Sequence, residues 1–311
     1  MTSAVKPCPP PGHGVHLWAF HAYNKVRSFG LTHDEAAAYC HAHATRPLTS
    51  GDIPSRPDTE TFELRKLRVE YNELLLQRLA AKINAFGIDD IKDKSPIDPA
   101  RQSPAAILRH LYRPGERVLL FDRCQSQGKI VWQAPTKDAP NDDHVFDPFL
   151  KPTRGQGAWM LANAITGEWV NVPRLVSEQN PNGRTRRAVE ALSCYRYCVV
   201  ESDAAPEALW LKALVQMPLP IVAVTSSAGK SIHALIDTGA QNLEEWRAAA
   251  DTIAGIVVPL GADPATLRTP AQLTRIPGFY RAEKKRWQEL LYLNPTADST
   301  PIIRKPKRGQ S

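Results

Sequence analysis

Tyr195-Arg196-Tyr197-Cys198-Val199-Val200-Glu201 opens the stretch that decides the fold. Apolar, aromatic and β-branched residues run unbroken into a polar end, which is how a buried strand reads. Beyond it the spacing predicts a helix from Pro206 to Gln216, strands from Ile221 to Thr225 and Ser231 to Asp237, and a helix from Leu243 to Val257. Pro206 suits the first turn of its helix, where the missing N–H costs nothing. Such alternation predicts a domain of mixed strands and helices, with helices covering one face of the sheet.

Upstream, Val118 to Phe121 and Ile130 to Trp132 read as short strands. Trp159-Met160-Leu161 and Trp169-Val170 bracket the turn signal Thr166-Gly167, and Asn180 to Arg187 reads as a loop carrying Arg184, Arg186 and Arg187. The N-terminal third has another texture. Four prolines and two glycines make residues 1–14 a leader, and Val15 to Arg27 reads as a helix. A capping box, Thr32 to Glu35, starts a second, alanine-rich helix. After a proline-rich connector, leucines and aromatics at helical spacing run from Thr61 to Phe86, and Gly87 ends them. Asp89 to Pro104 is polar and reads as a linker. The expected organisation is a leader (1–14), a helical N-terminal region (15–100), a catalytic domain (101–298) and a basic tail (299–311).

The 311 residues suffice for a sizeable core; 42% of them are hydrophobic and 23% charged, which argues against a largely disordered chain. No apolar run is long enough to span a membrane, and the N-terminus has no apolar signal region, so a cytoplasmic protein is expected. Five cysteines give no disulfide framework. The formal charge is +7, and Arg304, Lys305, Lys307 and Arg308 make the tail basic, which suits a polyanionic partner.

Three constellations carry chemistry. In Val200-Glu201-Ser202-Asp203 two acids lie at i and i+2, the spacing of one strand face. Carboxylates that close repel unless a cation lies between them, and hard oxygen ligands suit Mg²⁺ or Mn²⁺. A strand ending in a polar turn would give the same pattern. In Gly229-Lys230-Ser231-Ile232-His233-Ala234, Ser231 and His233 share a face, while small residues and Lys230 suit an anion. A phosphate-binding P-loop is excluded, because Val224 replaces the first glycine and a strand follows where a helix should open. In the third constellation, Gly261-Ala262-Asp263-Pro264 is followed by Arg275 and Arg281. Asp263 is either a turn former or a third carboxylate, and the arginines are either phosphate contacts or surface ion pairs.

Together with Arg275-Ile276-Pro277-Gly278 and Leu290-Leu291-Tyr292-Leu293-Asn294-Pro295, these motifs resemble the archaeo-eukaryotic primase superfamily, the primase-polymerases, in their phage and mobile-element branch. The resemblance covers roughly residues 113–295. It implies an α+β fold with an RRM-like catalytic core. It also implies template-directed primer synthesis on single-stranded DNA from NTPs or dNTPs by two-metal nucleotidyl transfer, with Mg²⁺ or Mn²⁺. Glu201, Asp203 and Asp263 would be catalytic metal ligands, with Asp237 the rival for the third place. Lys230, Ser231 and His233 would bind the nucleotide, Arg275 and Arg281 would meet phosphate or template, and a separate helicase would unwind DNA. The first motif departs from the family in reading Glu-x-Asp. The alternative is a non-catalytic DNA-binding replication-initiation protein that keeps the primase fold. Two further patterns are set aside. Cys40-His41-Ala42-His43 contains the His-x-His of rolling-circle nickases but lies in a helical run, and Cys8, His13, His16, Cys40 and His43 lack the paired spacing of a zinc site.

Overall fold

The computed structural model describes residues 8, 18–19, 22–23, 26, 33–44, 76–83, 85–122, 130–138, 143–150, 157–178, 180–203, 205–229 and 231–303. The chain divides into two compact units, residues 1–75 with 259–261, and residues 76–258 with 262–311.

In the first unit the described residues are helical at 18–19, 22–23 and 26 and in helix α1, His33–His43. Trp18, Ala22 and Val26 recur every fourth residue, as do Ala36 and Cys40, so each helix turns one stripe into a small shared core. The Cys40 thiol donates to the carbonyl of Ala19 at 3.6 Å, and burial pushes its pKa up to about 12. His43 stacks on Tyr39 and is exposed on α1. Thr32 and nearly all of the leader lie outside the described residues, as do the residues before 76 of the third helix; residues 76–81 are helical.

The second unit mixes helices with antiparallel sheets. It starts earlier than the polar linker reading suggests, with helix α2 (Ile88–Asp93) and a short 3₁₀ turn at Pro99–Arg101. The polar texture concealed three local anchors: Gly87 N–H donates to the Asp90 carboxylate at 2.7 Å, Ile91 is fully buried, and Ile97 packs on the main core. Helix α3 (Pro104–Leu111) has Ser103 as its cap, accepting from the N–H of Ala106 at 3.2 Å.

Strands β1 (Arg117–Phe121), β2 (Ile130–Gln133) and β3 (Trp159–Leu161) follow, with a helical turn, α4 (Asp147–Leu150), between the last two. β3 does not pair with the Trp169-Val170 segment. All three of its residues are buried, and it lies between β1 and a later strand, whereas β4 (Val170–Asn171) pairs with β5 (Arg184–Thr185). The arginine-bearing loop therefore contains a short strand. The sequence then gives β6 (Tyr197–Glu201), helix α5 (Glu207–Leu214), β7 (Ile221–Ser226), β8 (Ile232–Asp237), helix α6 (Leu243–Val257), β9 (Leu273–Arg275), the hairpin β10 (Tyr280–Arg281) and β11 (Arg286–Trp287), and β12 (Glu289–Leu293).

Two four-stranded antiparallel sheets result, in the orders β2-β1-β3-β9 and β12-β7-β8-β6. Strand alternation explains how they share a core. Val118 and Leu120 of β1 face the same cluster as Val199 of β6 and Leu235 of β8, while Leu119 and Phe121 join Trp159, Leu161 and Leu273 in a second cluster. The far face of the second sheet is covered by helices, as the alternation of elements predicts. Trp210 of α5 donates to the carbonyl of Ile232 at 3.1 Å, and Trp246 of α6 to that of Tyr197 at 3.0 Å. Each indole thus buries its ring while satisfying its N–H.

Candidate functional site

β6 and β8 pair antiparallel with Tyr197 opposite Asp237 and Glu201 opposite His233. Period-two alternation puts Glu201 on the face of Val199, and His233 on that of Leu235, so both emerge where the shared core ends. His233 Nε2 lies 2.7 Å from Glu201 Oε2, and the Ser231 hydroxyl donates to the same oxygen at 3.5 Å. The other imidazole nitrogen, Nδ1, is 3.4 Å from Thr274 Oγ1 on β9, so the ring is held between the two sheets. Burial by itself pushes the Glu201 carboxyl up, but the His233 imidazole, the Arg275 guanidinium and the Ser231 hydroxyl outweigh it and hold the carboxyl below the usual glutamate range.

These groups border a cavity of about 680 Å³. Glu201 and Asp203 contribute carboxylates, Ser231 and His233 lie beside them, and Arg187, Arg275, Arg281, Lys284 and Arg286 supply five cations. Strand β9 delivers Arg275, which is stacked at 3.7 Å over Trp159, its cross-strand partner on β3. Arg281 is buried; it donates to the carbonyl of Ser227 at 2.9 Å and pairs with Glu283. Its approach requires Gly157. That residue has φ +77°, and a Cβ there would fall 2.1 Å from Gln288 Oε1 and 2.7 Å from Arg281 Cγ. Gln288 clamps the next residue, accepting from the N–H of Ala158 at 2.9 Å and donating to its carbonyl at 3.0 Å.

The loop joining β7 to β8 closes with the N–H of Ser227 donating to the carbonyl of Ser231 at 3.0 Å. Ala228 takes the left-handed conformation, φ 58°. No helix opens after this loop, in agreement with the exclusion of a P-loop. Lys230 lies outside the described residues, as do residues 304–311, which hold the four cations of the basic tail.

Six of the eight singled-out residues thus line one cavity: Glu201, Asp203, Ser231, His233, Arg275 and Arg281. Asp263 does not line it. Its N–H donates to the carbonyl of Glu201 at 2.8 Å, which brings the two backbones together, but its carboxylate accepts from the N–H of Ala265 at 2.8 Å and caps the 3₁₀ turn Pro264–Leu267. Asp237 lies at the opposite end of β8, about 13 Å along the strand from His233. Hard oxygen donors on Glu201 and Asp203 match the chemistry of one divalent cation, which is commonly held by one or two carboxylates plus substrate phosphate. A centre for two cations is not formed as the side chains stand: among the described residues no three His, Cys, Asp or Glu side chains are grouped to hold a metal. Sequence reasoning missed Thr274, Trp159, Lys284 and Arg286, and it placed Arg187 in a loop without a role. The dense run Arg281–Arg286, with four cations in six residues, was the signal available.

No protein-family model matches the chain, and no curated protein matches it. Among solved structures it is similar to the catalytic domain of primase RepB′ in complex with initiator DNA, at 18% identity and TM-score 0.38, covering 63% of this chain and 87% of that one. At that level the likeness assigns neither a family nor an activity. Among the described residues no helix is long and apolar enough to cross a membrane.

Proposed function

We propose that the chain is a nucleotidyltransferase of the primase-polymerase kind, which adds nucleotides to a growing strand on single-stranded DNA. One observation carries this reading: two carboxylates from the end of β6 and a serine and a histidine from the start of β8 meet five cations on a single cavity. Five positive side chains against two negative ones suit a triphosphate beside a nucleic-acid backbone. The run β6, α5, β7, β8 and α6 has the β-α-β-β-α order with which an RRM-like core begins, and β12, which follows β9 to β11, completes the sheet beside β7.

In the proposed reaction a 3′-hydroxyl attacks the α-phosphate of the incoming nucleotide. The O3′–P bond forms, the bond between the α-phosphorus and the pyrophosphate oxygen breaks, pyrophosphate leaves, and the hydroxyl proton passes to solvent water. Ser231 and His233 bind the phosphates, and the arginines neutralise charge that moves toward the leaving pyrophosphate. Glu201 and Asp203 would hold Mg²⁺ or Mn²⁺, which when bound supplies Lewis-acid stabilisation of the phosphoryl oxygens. Thr274 orients the His233 ring, and Trp159 fixes Arg275 by stacking.

The capped carboxylate of Asp263 favours a second reading, a DNA-binding replication-initiation protein that keeps the fold without catalysis. Incubating purified protein with single-stranded template, nucleotides and Mg²⁺ or Mn²⁺ separates the two. New oligonucleotides that disappear with Asp203→Ala support the enzyme; DNA binding without any synthesis supports the second reading.

A further inference from the structure

The β10–β11 hairpin has two chemically opposite faces. Tyr280 pairs with Trp287 and Arg281 with Arg286, so alternation sends the two aromatics to one side and the two arginines to the other. Both arginines border the cavity, together with Lys284 from the turn. The aromatic side faces solvent: Tyr280 is 37% exposed and Trp287 57%, and only Val176 joins them as an exposed large hydrophobic among the described residues. Their ring centroids are 5.3 Å apart at an interplanar angle of 58°, a tilted rather than a stacked pair.

We propose that this aromatic face is a stacking platform for unpaired bases of the single strand, set beside the cavity whose cations hold the backbone. The proposal rests on the nucleic-acid reading given above and assigns two residues it leaves unused. Charge complementarity selects the occupant. From residue 280 to residue 287 there are four cations (Arg281, Lys284, Lys285 and Arg286) against Glu283 alone, and Glu283 is already paired with Arg281. Aromatic side chains flanked by cations are how proteins hold single strands without reading sequence, because every base has a stacking face. Continuity adds to this, since the strands that carry the rings also carry Arg281 and Arg286 into the cavity.

The test measures affinity of the full chain for a short oligothymidylate and for an abasic single strand of equal length, over a range of salt. Trp287→Ala should weaken oligothymidylate binding about five- to 150-fold, because stacking contributes about 1–3 kcal/mol per base. Binding of the abasic strand, and the salt slope, should stay as in the wild type, since no phosphate contact is removed. Trp287→Phe should recover most of the loss, and thermal melts of both variants should match the wild type, because the side chain is exposed. Equal oligothymidylate affinity in the wild type and in the Tyr280→Ala/Trp287→Ala double variant would overturn the platform and give the face to a protein partner. Equal weakening on both probes would overturn it too. Primer synthesis with normal template binding by Trp287→Ala removes the platform and keeps the enzyme. Base-dependent loss in a protein that makes no primers does the reverse.

Discussion

Two partly buried ion pairs stand at opposite ends of one strand pair, and they do different work. At the Tyr197 end, Arg196 meets Glu116 at 2.6 Å and also donates to the carbonyl of Leu111 at 2.9 Å. Tyr197 donates to the same carbonyl, and Asn163 bonds both the N–H and the carbonyl of Tyr197. Here the fold uses its own polar groups. At the Glu201 end, His233 and Ser231 approach the carboxylate, but the group borders an open cavity lined by five cations. The exposures are similar, 13% and 17% against 9% and 16%, so burial does not distinguish a structural pair from a site. What distinguishes them is whether the surrounding donors are consumed by the chain or turned toward space a ligand can enter.

The sharpest way to break this contrast is to remove one acid from each end. Asp203→Ala should lower nucleotide incorporation at least ~10³-fold, the equivalent of about 4 kcal/mol of transition-state stabilisation, with an unchanged melting temperature because Asp203 is exposed. Glu116→Ala should do the opposite. Leaving Arg196 without its partner should remove about 3 kcal/mol of stability in denaturant melts while sparing activity per folded molecule. If Glu116→Ala abolished activity in protein that remained folded, the division between the two ends would fail.

Gly157→Ala probes the link between fold and site and should be intermediate. The left-handed backbone and the collision with Gln288 should cost about 2 kcal/mol, and the displaced Arg281 should weaken nucleotide affinity as well. Calorimetry and nucleotide titration on the same sample would reveal either effect without the other. The smallest effect concerns pH. The Glu201 carboxyl is depressed in the folded chain, so its stabilisation is present above the ordinary glutamate value of about 4.3 and is lost as pH falls through the lower folded value. Glu201→Gln should therefore show a shallower loss of stability in acid than the wild type. An equal slope would mean that the pair with His233 contributes nothing.

Much of this was legible beforehand. The strand and helix pattern from Tyr197 to Val257 follows hydrophobic periodicity, and helix α6 matches its expected bounds. Placing Glu201 and Asp203 together, and Ser231 with His233, needed only the period-two rule and a strand end, and both pairs line the cavity. Asp263 was harder, because an Asp before proline reads equally as a ligand or a cap; the hydrogen bond to Ala265 makes it a cap here. Asp237 shares a strand with His233 but lies at the wrong end, which pairing register shows and sequence order does not. Thr274, Trp159 and Arg187 come from segments remote in sequence, and only tertiary packing brings them to the site. The run Asp89 to Pro104 misled because its three apolar anchors, Ile91, Ile97 and Pro99, are sparse among polar residues yet decide its structure.

The most direct test of the central claim is an experimental structure of the chain with Mn²⁺ and a nucleoside triphosphate. The expected result is a cation touching Glu201 and Asp203, and phosphates against Ser231 and His233 within reach of the cavity arginines. A triphosphate bound elsewhere, with the Glu201–His233 contact intact and the cavity holding no cation, would contradict it.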